Sequence, residues 1–332
     1  MTQSLYVEAI NRALREEMER DPAVLMIGLD VGRQGGLFGA TRGLFDRFGA
    51  ERVIDTPISE AGYTGAAIGL AMEGLRPVVE MQFADFVTVA FDQLATVAAK
   101  MHFMTQGAIH VPLVVRMPYG VNVTGEGYMT GAGPHHSQSP EAWFCHIAGL
   151  KVVMPSTPAD ALGLLKASIR DENPVMFFEQ KGLYYTSRAE LPEGEHVIPL
   201  GSGEVKRAGR DVTVIATGAM VQLALAAADK LQSDGISVEV VDPRTLVPLD
   251  RETLLSSACK TGRVLVTHEA PPPPGFGAEI AAVIAEDAFR SLKAPIRRLC
   301  GADMPVPPGA MVRAAIPTRA RLEDAIRELA QS

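Results

Sequence analysis

The sequence predicts an α/β protein of two domains, each a mostly parallel sheet with helices on both faces. The chain has 332 residues, which is more than one hydrophobic core usually holds. Short apolar runs alternate with helical patterns along most of it, and this alternation is typical of βαβ units. Around 186–210 the alternation gives way to a polar stretch rich in Pro, Gly and charges, which indicates a linker or an extended wrap between domains.

The first domain is expected to span residues 1–185. Its buried strands are predicted at Val24–Gly28, Pro77–Glu80, Leu113–Arg116, Lys151–Met154 and Val175–Phe178. Helical patterns lie between them, at 5–20, 61–74, 88–104 and 158–171. Ligands of such sheets gather at the carboxyl ends of the strands, so residues that follow a strand are the first functional candidates.

The second domain is expected at 206–332, after a linker at 186–205. Strands are predicted at Val212–Thr217, Ser237–Val241, Arg263–Thr267 and Ile296–Leu299, with helices at 219–233, 250–260 and 277–291. Asp234-Gly235 ends the first of these helices and the prolines at 271–274 precede the third, which supports these boundaries.

Composition and charge disfavour several classes of function. The chain carries 39 acidic and 31 basic side chains, a net charge of −8, which argues against nucleic acid or an anionic membrane as the main partner. Three cysteines without ligand spacing indicate neither a disulfide framework nor a zinc site. The charge-free apolar stretch 61–72 is too short to cross a bilayer, and the acidic amphipathic start does not resemble a targeting peptide. A cytoplasmic location is therefore expected.

Glu60 follows the strand-like 53–55 and opens a helix that is rich in small residues. A carboxylate at a helix N-terminus is stabilised by the helix dipole, so on the local pattern alone capping explains Glu60 better than function does. Gly62, Gly65 and Gly69 each cost about 1 kcal/mol in a helix relative to alanine. Either another backbone or subunit approaches closely there, or the helix packs tightly within the chain.

Five separated motifs give the chain a specific resemblance. They are DTPISEAG (55–62), GLRPVVEMQFADFVTVAFDQ (74–93), HHSQSPEAWFCHIAGLKVVMPSTPADALGLLKASIRDENPV (135–175), VVDPRTLVPLD (240–250) and THEAPPPPGFGAEIA (267–281). In type and order they resemble the β subunits of thiamine-diphosphate-dependent 2-oxoacid dehydrogenases, the pyruvate and branched-chain enzymes of the transketolase-like superfamily. The resemblance implies a pyrimidine-binding domain followed by a transketolase C-terminal domain.

The resemblance implies three residues near the cofactor. Glu60 takes the position of the glutamate that bonds a ring nitrogen of the thiamine pyrimidine, a charge-assisted contact that is strong in low dielectric. Phe86 falls where the family presents an aromatic face to that ring, although a plain core phenylalanine fits the pattern equally well. Gln82 aligns with another position on the pyrimidine side.

His136 is the candidate that faces the substrate. Adjacent His135 and His136 in a Gly/Pro-rich loop would by themselves more often be surface residues. The HSQS context resembles the family's loop, and a histidine there can pair with a 2-oxoacid carboxylate or donate a proton.

A second cation site is implied by the SIRDEN run at 168–173. With Leu113, it resembles the loop that holds a structural potassium ion through backbone carbonyls in some relatives, although an ordinary helix C-terminus would look the same. The residues concerned are Leu113, Ser168, Ile169, Asp171 and Asn173.

The motif that holds Mg on the cofactor diphosphate is missing from the sequence. No GDG followed by a distant Asn is present, and the only Asp-Gly pair is 234–235. The resemblance therefore implies that an α subunit supplies the diphosphate and Mg side, in an α2β2 heterotetramer docked on a dihydrolipoyl acyltransferase core.

The expected function is thiamine-diphosphate-dependent oxidative decarboxylation of a branched-chain 2-oxoacid or pyruvate, with acyl transfer to lipoamide. An acetoin dehydrogenase β subunit is the alternative. A non-catalytic scaffold is a further alternative, because Leu29 stands where relatives usually have an acid and the loop 119–134, with its five glycines, looks long. Retention of both Glu60 and His136 weighs against the scaffold.

Overall fold

The structure, a computed structural model, describes residues 3–123 and 129–332. The first half contributes ten strands: β1 Ser4–Leu5, β2 Val24–Gly28, β3 Val53–Asp55, β4 Arg76–Glu80, β5 Val114–Tyr119, β6 Asn122–Val123, β7 Met129–Ala132, β8 Lys151–Val153, β9 Val175–Gln180 and β10 Arg188–Ala189. Its α-helices are α1 Tyr6–Arg20, α2 Leu44–Phe48, α3 Glu60–Met72, α4 Ala99–Met104, α5 Glu141–Cys145, α6 Pro158–Arg170 and α7 Leu183–Thr186.

The second half repeats the alternation on a smaller scale. Its strands are β11 Glu204–Arg207, β12 Val212–Ala216, β13 Val238–Asp242, β14 Thr245–Val247, β15 Val264–Thr267, β16 Arg297–Leu299 and β17 Pro308–Gly309. Its α-helices are α8 Ala219–Gln232, α9 Arg251–Thr261, α10 Gly277–Asp287, α11 Val312–Ala315 and α12 Arg319–Ala330.

Two mostly parallel sheets organise these elements. The larger has the order β14-β8-β9-β5-β4-β2-β3, and its pairings are parallel except that of β14 with β8. The smaller has the order β11-β13-β12-β15-β16, with only the edge pairing of β11 antiparallel. The predicted fold class is confirmed.

Helices cover both faces of the larger sheet because successive strand residues point to opposite sides. Val78 and Val114 are buried in one cluster with Leu14 of α1, whereas the next residue along each strand belongs to a second cluster under α3. Such strands read as continuous apolar runs in the sequence, which is typical of a parallel sheet covered on both faces.

The two halves of the chain are joined by strand pairing as well as by the connecting segment. Strand β14 comes from the second half of the chain, yet it completes the larger sheet by pairing Thr245 with Val153 of β8. In the connection itself, β10 pairs with β1 at the N-terminus. Loops of the second half thereby lie beside strands of the first.

Two predicted helices differ from the observed ones. The predicted helix 88–104 is a 3-10 helix, Ala84–Ala90, then a π-helical turn, Gln93–Ala98, and only then α4. The predicted helix 277–291 ends at Asp287 and is followed by a short 3-10 turn, Phe289–Ser291. Periodicity of apolar residues does not distinguish these helix types. Across 3–123 and 129–332, no helix is long and apolar enough to span a membrane.

Part of the predicted long loop 119–134 has regular structure. Strands β6 and β7 pair with each other, and β7 also pairs with β17 from the C-terminal region. Residues 124–128 of this loop lie outside the described residues. The described part of the loop is therefore tied to the second half of the chain.

Candidate active site

The candidate residues follow strands whose carboxyl ends meet at one edge of the larger sheet. Asp30 follows β2, Gln82 and Phe83 follow β4, and Lys181 follows β9 directly. Glu60 lies five residues after the end of β3. The parallel pairing of these strands brings residues that are far apart in the sequence to the same edge, as expected for this class of fold.

Glu60 is the first residue of α3 and is half-buried. Among residues 3–123 and 129–332, no group donates a hydrogen bond or forms an ion pair with its carboxylate. The N-cap residue, Ser59, makes no side-chain capping bond either. The Glu60 charge contributes to a raised pKa of Tyr63, after burial, which is the larger cause, so carboxylate and phenol lie near one another. Within the described residues the carboxylate therefore remains unpaired.

One face of α3 is open. Gly62, Ala66 and Gly69 are exposed, and a Cβ atom added to Gly69 would meet nothing within 4 Å. Tight packing within the chain therefore does not explain the glycine at position 69. The observation favours the first of the two explanations drawn from the sequence, close approach of another backbone.

His136 lies among aromatic rings. Its imidazole is edge-on to Phe83, with centroids 4.7 Å apart, and to Phe86, with centroids 5.5 Å apart. Phe83 and Phe86 are themselves edge to face at 5.9 Å. All three side chains are half-buried. The structure thus brings two residues singled out in the sequence, His136 and Phe86, to one place.

The backbone around His136 is held by residues from two other elements. The ammonium group of Lys181 donates to the carbonyl oxygen of His136, and Ser137 Oγ lies 3.4 Å from the same nitrogen. Asp85 Oδ1 accepts the backbone N–H of Gln138 at 3.2 Å. The loop that carries the histidine is therefore fixed at the His136 carbonyl and at the two residues that follow it.

Lys181 and Asp85 are ionisable groups in a poorly solvated place. Burial lowers the pKa of Lys181 to about 8, although the charges of Asp85 and Glu269 act against the shift. Burial also raises the pKa of Asp85, and hydrogen bonds such as that from the Gln138 N–H oppose this. Perturbed groups of this kind cluster at functional sites.

Gln82 contacts the strand next to its own. Its amide donates to Asp30 Oδ2 at 3.2 Å, and Asp30, two residues after the end of β2, adopts a positive φ of 60°. Such a conformation is uncommon for a residue other than glycine and is frequent near functional sites. Leu29, where an acid was expected, is therefore followed by a carboxylate at this edge.

A buried ion cluster stiffens the strands beneath the site. The Arg116 guanidinium on β5 donates to Glu179 through two nitrogens, at 2.7 and 2.8 Å, and to Glu80 at 2.6 Å. Tyr184 donates to the same Glu179 carboxylate at 2.5 Å. Two carboxylates share one guanidinium away from water, and burial raises the pKa of Glu80 despite that pairing. Removal of Arg116 would leave uncompensated buried charge.

Glu269, from the second half of the chain, holds the start of the loop that leads to His136. Its carboxylate accepts the backbone N–H of Val121 at 3.0 Å and the Gln180 amide at 2.8 Å. Burial raises the pKa of Glu269 to about 7, against the effect of these hydrogen bonds. The loop is thus anchored from both domains.

Comparisons with known proteins agree with this arrangement. Residues 3–186 match the family described as transketolase, pyrimidine binding domain, and residues 201–322 match the transketolase C-terminal domain. The chain is 48% identical to the 2-oxoisovalerate dehydrogenase subunit beta of Bacillus subtilis, over 98% of either chain. It is 45% identical to the pyruvate dehydrogenase E1 component subunit beta of Leifsonia xyli, over 96% of this chain and 93% of the relative.

The chain belongs to the β subunits of the 2-oxoacid dehydrogenases. A solved structure described as a split gene transketolase, inactive beta4 tetramer, has a TM-score of 0.79 and covers 98% of each chain. At 23% identity it shows the fold alone. Members of this family use thiamine diphosphate, so the β subunit is part of a thiamine-dependent dehydrogenase.

The residues proposed for potassium lie around the end of α6 and the start of β9. The Leu113 carbonyl accepts the Val175 N–H at 2.8 Å, and the Ser168 carbonyl accepts that of Asp171 at 3.3 Å. Arg76 Nη1 bonds the carbonyls of Ile169 and Asp171, at 3.1 and 3.2 Å. The Asn173 N–H donates a hydrogen bond to Asp171 Oδ1 at 2.9 Å. Within the described ranges no cluster of three or more His, Cys, Asp or Glu forms a metal site.

Three residues of this site were not singled out from the sequence: Phe83, Asp85 and Lys181. Phe83 and Asp85 stand in the QFADF string, between and beside the candidates Gln82 and Phe86, and have no motif of their own. Lys181 was detectable, because it follows a predicted buried strand at the edge where ligands gather. A lone lysine after a strand carries no spacing pattern, however, and only the fold shows that it reaches His136.

Proposed function

We propose that this β subunit, with an α subunit, catalyses thiamine-diphosphate-dependent decarboxylation of a 2-oxoacid and acyl transfer to lipoamide. A branched-chain 2-oxoacid is proposed as the preferred substrate and pyruvate as the second. The names of the relatives support this order, since 2-oxoisovalerate dehydrogenase is 48% and pyruvate dehydrogenase 45% identical. The observation that carries the proposal is the half-buried Glu60 carboxylate, which has no hydrogen-bond partner in the described chain.

The residues present fit the pyrimidine side of thiamine diphosphate. That ring needs a carboxylate at a ring nitrogen and apolar contact with its faces. Glu60 offers the carboxylate, and Phe86 and Gln82 are the proposed neighbours of the ring. When bound, thiamine diphosphate supplies the nucleophilic carbon and the electron sink for loss of carbon dioxide.

Glu60 and His136 are proposed as the catalytic residues. Glu60 would hold the pyrimidine ring through a hydrogen bond to its ring nitrogen and would favour protonation there; the low dielectric of a closed interface would strengthen that bond. The His136 imidazole N–H donates to the carboxylate of the 2-oxoacid or delivers a proton to its former carbonyl oxygen. The surrounding phenylalanine rings restrict the orientation of the imidazole.

The α subunit is proposed to dock on the open face of α3. The exposed small residues of that helix lie on the side of the sheet that also carries large exposed apolar side chains on neighbouring elements, namely Val89, Phe103 and Met104. Phe103 is 86% exposed, which is unusual for a phenylalanine without a partner. The α subunit would bring the diphosphate and Mg site. We propose an α2β2 assembly on a dihydrolipoyl acyltransferase core.

A potassium ion is proposed at the carbonyls of Leu113, Ser168 and Ile169, with Asp171 and Asn173 beside them. Each carbonyl oxygen has two lone pairs, so an ion can share the oxygens that already accept hydrogen bonds. Resemblance to relatives supports this part of the proposal.

Reconstitution tests the proposed function. The chain is co-expressed with the α subunit of a 2-oxoacid dehydrogenase, and substrate-dependent dye reduction is measured with thiamine diphosphate and Mg. We expect turnover only with both subunits, with branched-chain 2-oxoacids giving the highest kcat/KM. Highest kcat/KM with acetoin would support an acetoin dehydrogenase instead, and absence of turnover with every substrate in a correctly assembled complex would support a scaffold.

A further inference from the structure

Lys181 occupies a place in which an ammonium group is costly. The residue is 4% exposed, and in the described part of the chain no carboxylate lies within 4.0 Å of its Nζ atom. Its partners are the His136 carbonyl and, at 3.4 Å, the Ser137 hydroxyl. Burial of a charge without a paired counter-ion opposes folding, so stability alone does not account for a lysine here.

The same ammonium group also contacts the aromatic rings of the site. Nζ lies 5.4 Å from the centroid of Phe83, within the range of a cation–π interaction. The Phe83 ring in turn packs edge-on against the His136 imidazole. Lys181 therefore reaches His136 by two routes, through its backbone carbonyl and through the ring beside it.

The other side of the loop is held independently. Asp85 accepts the Gln138 N–H, while its second oxygen, Oδ2, is buried without a hydrogen-bond partner in the described chain. Ser137, which Lys181 approaches, also accepts the backbone N–H of Ala132 at 2.9 Å. Without the ammonium group, the His136 carbonyl would lose its donor while Ser137 and Gln138, the two residues that follow it, kept their other hydrogen bonds.

We propose that Lys181 is the positioning residue of His136, holding the His136 carbonyl and the Phe83 ring so that the imidazole faces the substrate. This inference rests on the proposed function. Lys181 does not contact the substrate in this account; it acts through His136. Small displacements of a catalytic group are costly, on the order of 10²-fold in rate for about 1 Å.

The positioning also depends on pH. The charged or titratable groups that face Lys181 are Asp85 from the 3-10 helix, Glu269 after β15 and His136 itself. Because the pKa of Lys181 is lowered to about 8, the ammonium group loses its proton within the range of an activity assay. A neutral amine is a weaker donor and makes no cation–π contact, so activity should fall on the alkaline side.

The test compares Lys181→Met and Lys181→Arg in the assembled αβ complex, with kcat and KM measured from neutral to alkaline pH. Lys166→Met is the matched control, because Lys166 is also buried, at 1% exposure, but bonds Glu16 and Glu195 away from the site. We expect Lys181→Met to lower kcat on the order of 10²-fold with a much smaller change in KM. Lys181→Arg stays charged, so it should keep much of kcat and lose activity only at a higher alkaline pH than the wild type.

The outcomes separate this inference from the proposed function. If the wild-type complex is active and folded Lys181→Met has the same kcat and pH profile, the inference about Lys181 is overturned and the proposed function is not. If Lys181→Met does not assemble, Lys181→Arg decides instead. Loss of activity at the same alkaline pH as in the wild type would overturn the inference. A wild-type complex without turnover of any 2-oxoacid overturns the proposed function and this inference with it.

Discussion

The imidazole of His136 lies edge-on to the Phe83 ring, with centroids 4.7 Å apart and planes at 81°. These residues are more than fifty positions apart in the sequence, and the parallel sheet brings them together. An edge-to-face pair stabilises one ring orientation by about 0.5–1.5 kcal/mol beyond burial of area. The ring is thereby restrained before any substrate arrives.

His136→Asn should lower kcat by about 10²–10⁴-fold, because a positioned proton donor contributes rate on this scale. Asparagine keeps a donor of similar size but does not titrate. The neighbouring His135 is exposed, so His135→Asn is the matched control and should stay near wild type. Equal loss in the two variants would show that the loop, and not the His136 imidazole, is responsible.

Glu269→Gln should flatten part of the pH dependence of stability. Burial raises the pKa of Glu269 from 4.5 to about 7, so the folded state binds the proton more tightly than the unfolded state. The stability contributed by this group is present below pH 4.5 and is lost as pH rises through about 7. A glutamine does not titrate, and its oxygen can still accept the Val121 N–H.

Thermal unfolding across this pH range measures the effect of Glu269→Gln. Exposed Glu279 on α10 provides the control variant Glu279→Gln, which should retain the wild-type slope. A Glu269→Gln slope identical to wild type would show that the carboxyl group stays ionised in the folded state.

Potassium chloride should raise the Tm of the β subunit above its value in sodium chloride at equal ionic strength. A ligand that binds only the folded state stabilises it by about 2.7 kcal/mol at 100 times its Kd. The Arg76 guanidinium donates to the carbonyls of Ile169 and Asp171. Arg76→Gln removes this donor and leaves the carbonyls in place, so the variant should keep a potassium-specific increase in Tm. Equal Tm values in the two salts would rule out a potassium site at these carbonyls.

Much of the fold could be predicted from local pattern. The strands of the larger sheet are nearly continuous apolar runs, since their two faces are both covered, and Val24–Gly28 was placed with its observed bounds. Thr245–Val247 could not be assigned to the larger sheet, because its partner β8 lies almost a hundred residues earlier. Pairing over that distance leaves no periodic signal in either segment.

The site was predictable only where chemistry and motif coincide. Glu60 and His136 carry groups whose chemistry suggests a role, and the strings around them resemble a family. Lys181 and Asp85 act on the backbone of another segment, and such contacts depend on three-dimensional placement. Leu29 departs from the family pattern in the sequence, whereas the contact of the neighbouring Asp30 with Gln82 depends on the fold.

Glu60→Gln tests whether the Glu60 carboxylate completes a thiamine site shared with an α subunit. The variant is assembled with the α subunit, and 2-oxoacid-dependent dye reduction is measured beside Glu73→Gln, an exposed glutamate at the other end of α3. We expect Glu60→Gln to lower kcat by at least about 10²-fold, the scale lost with one electrostatic contact in an active site, while Glu73→Gln stays near wild type. Wild-type kcat in an assembled Glu60→Gln complex would contradict this expectation.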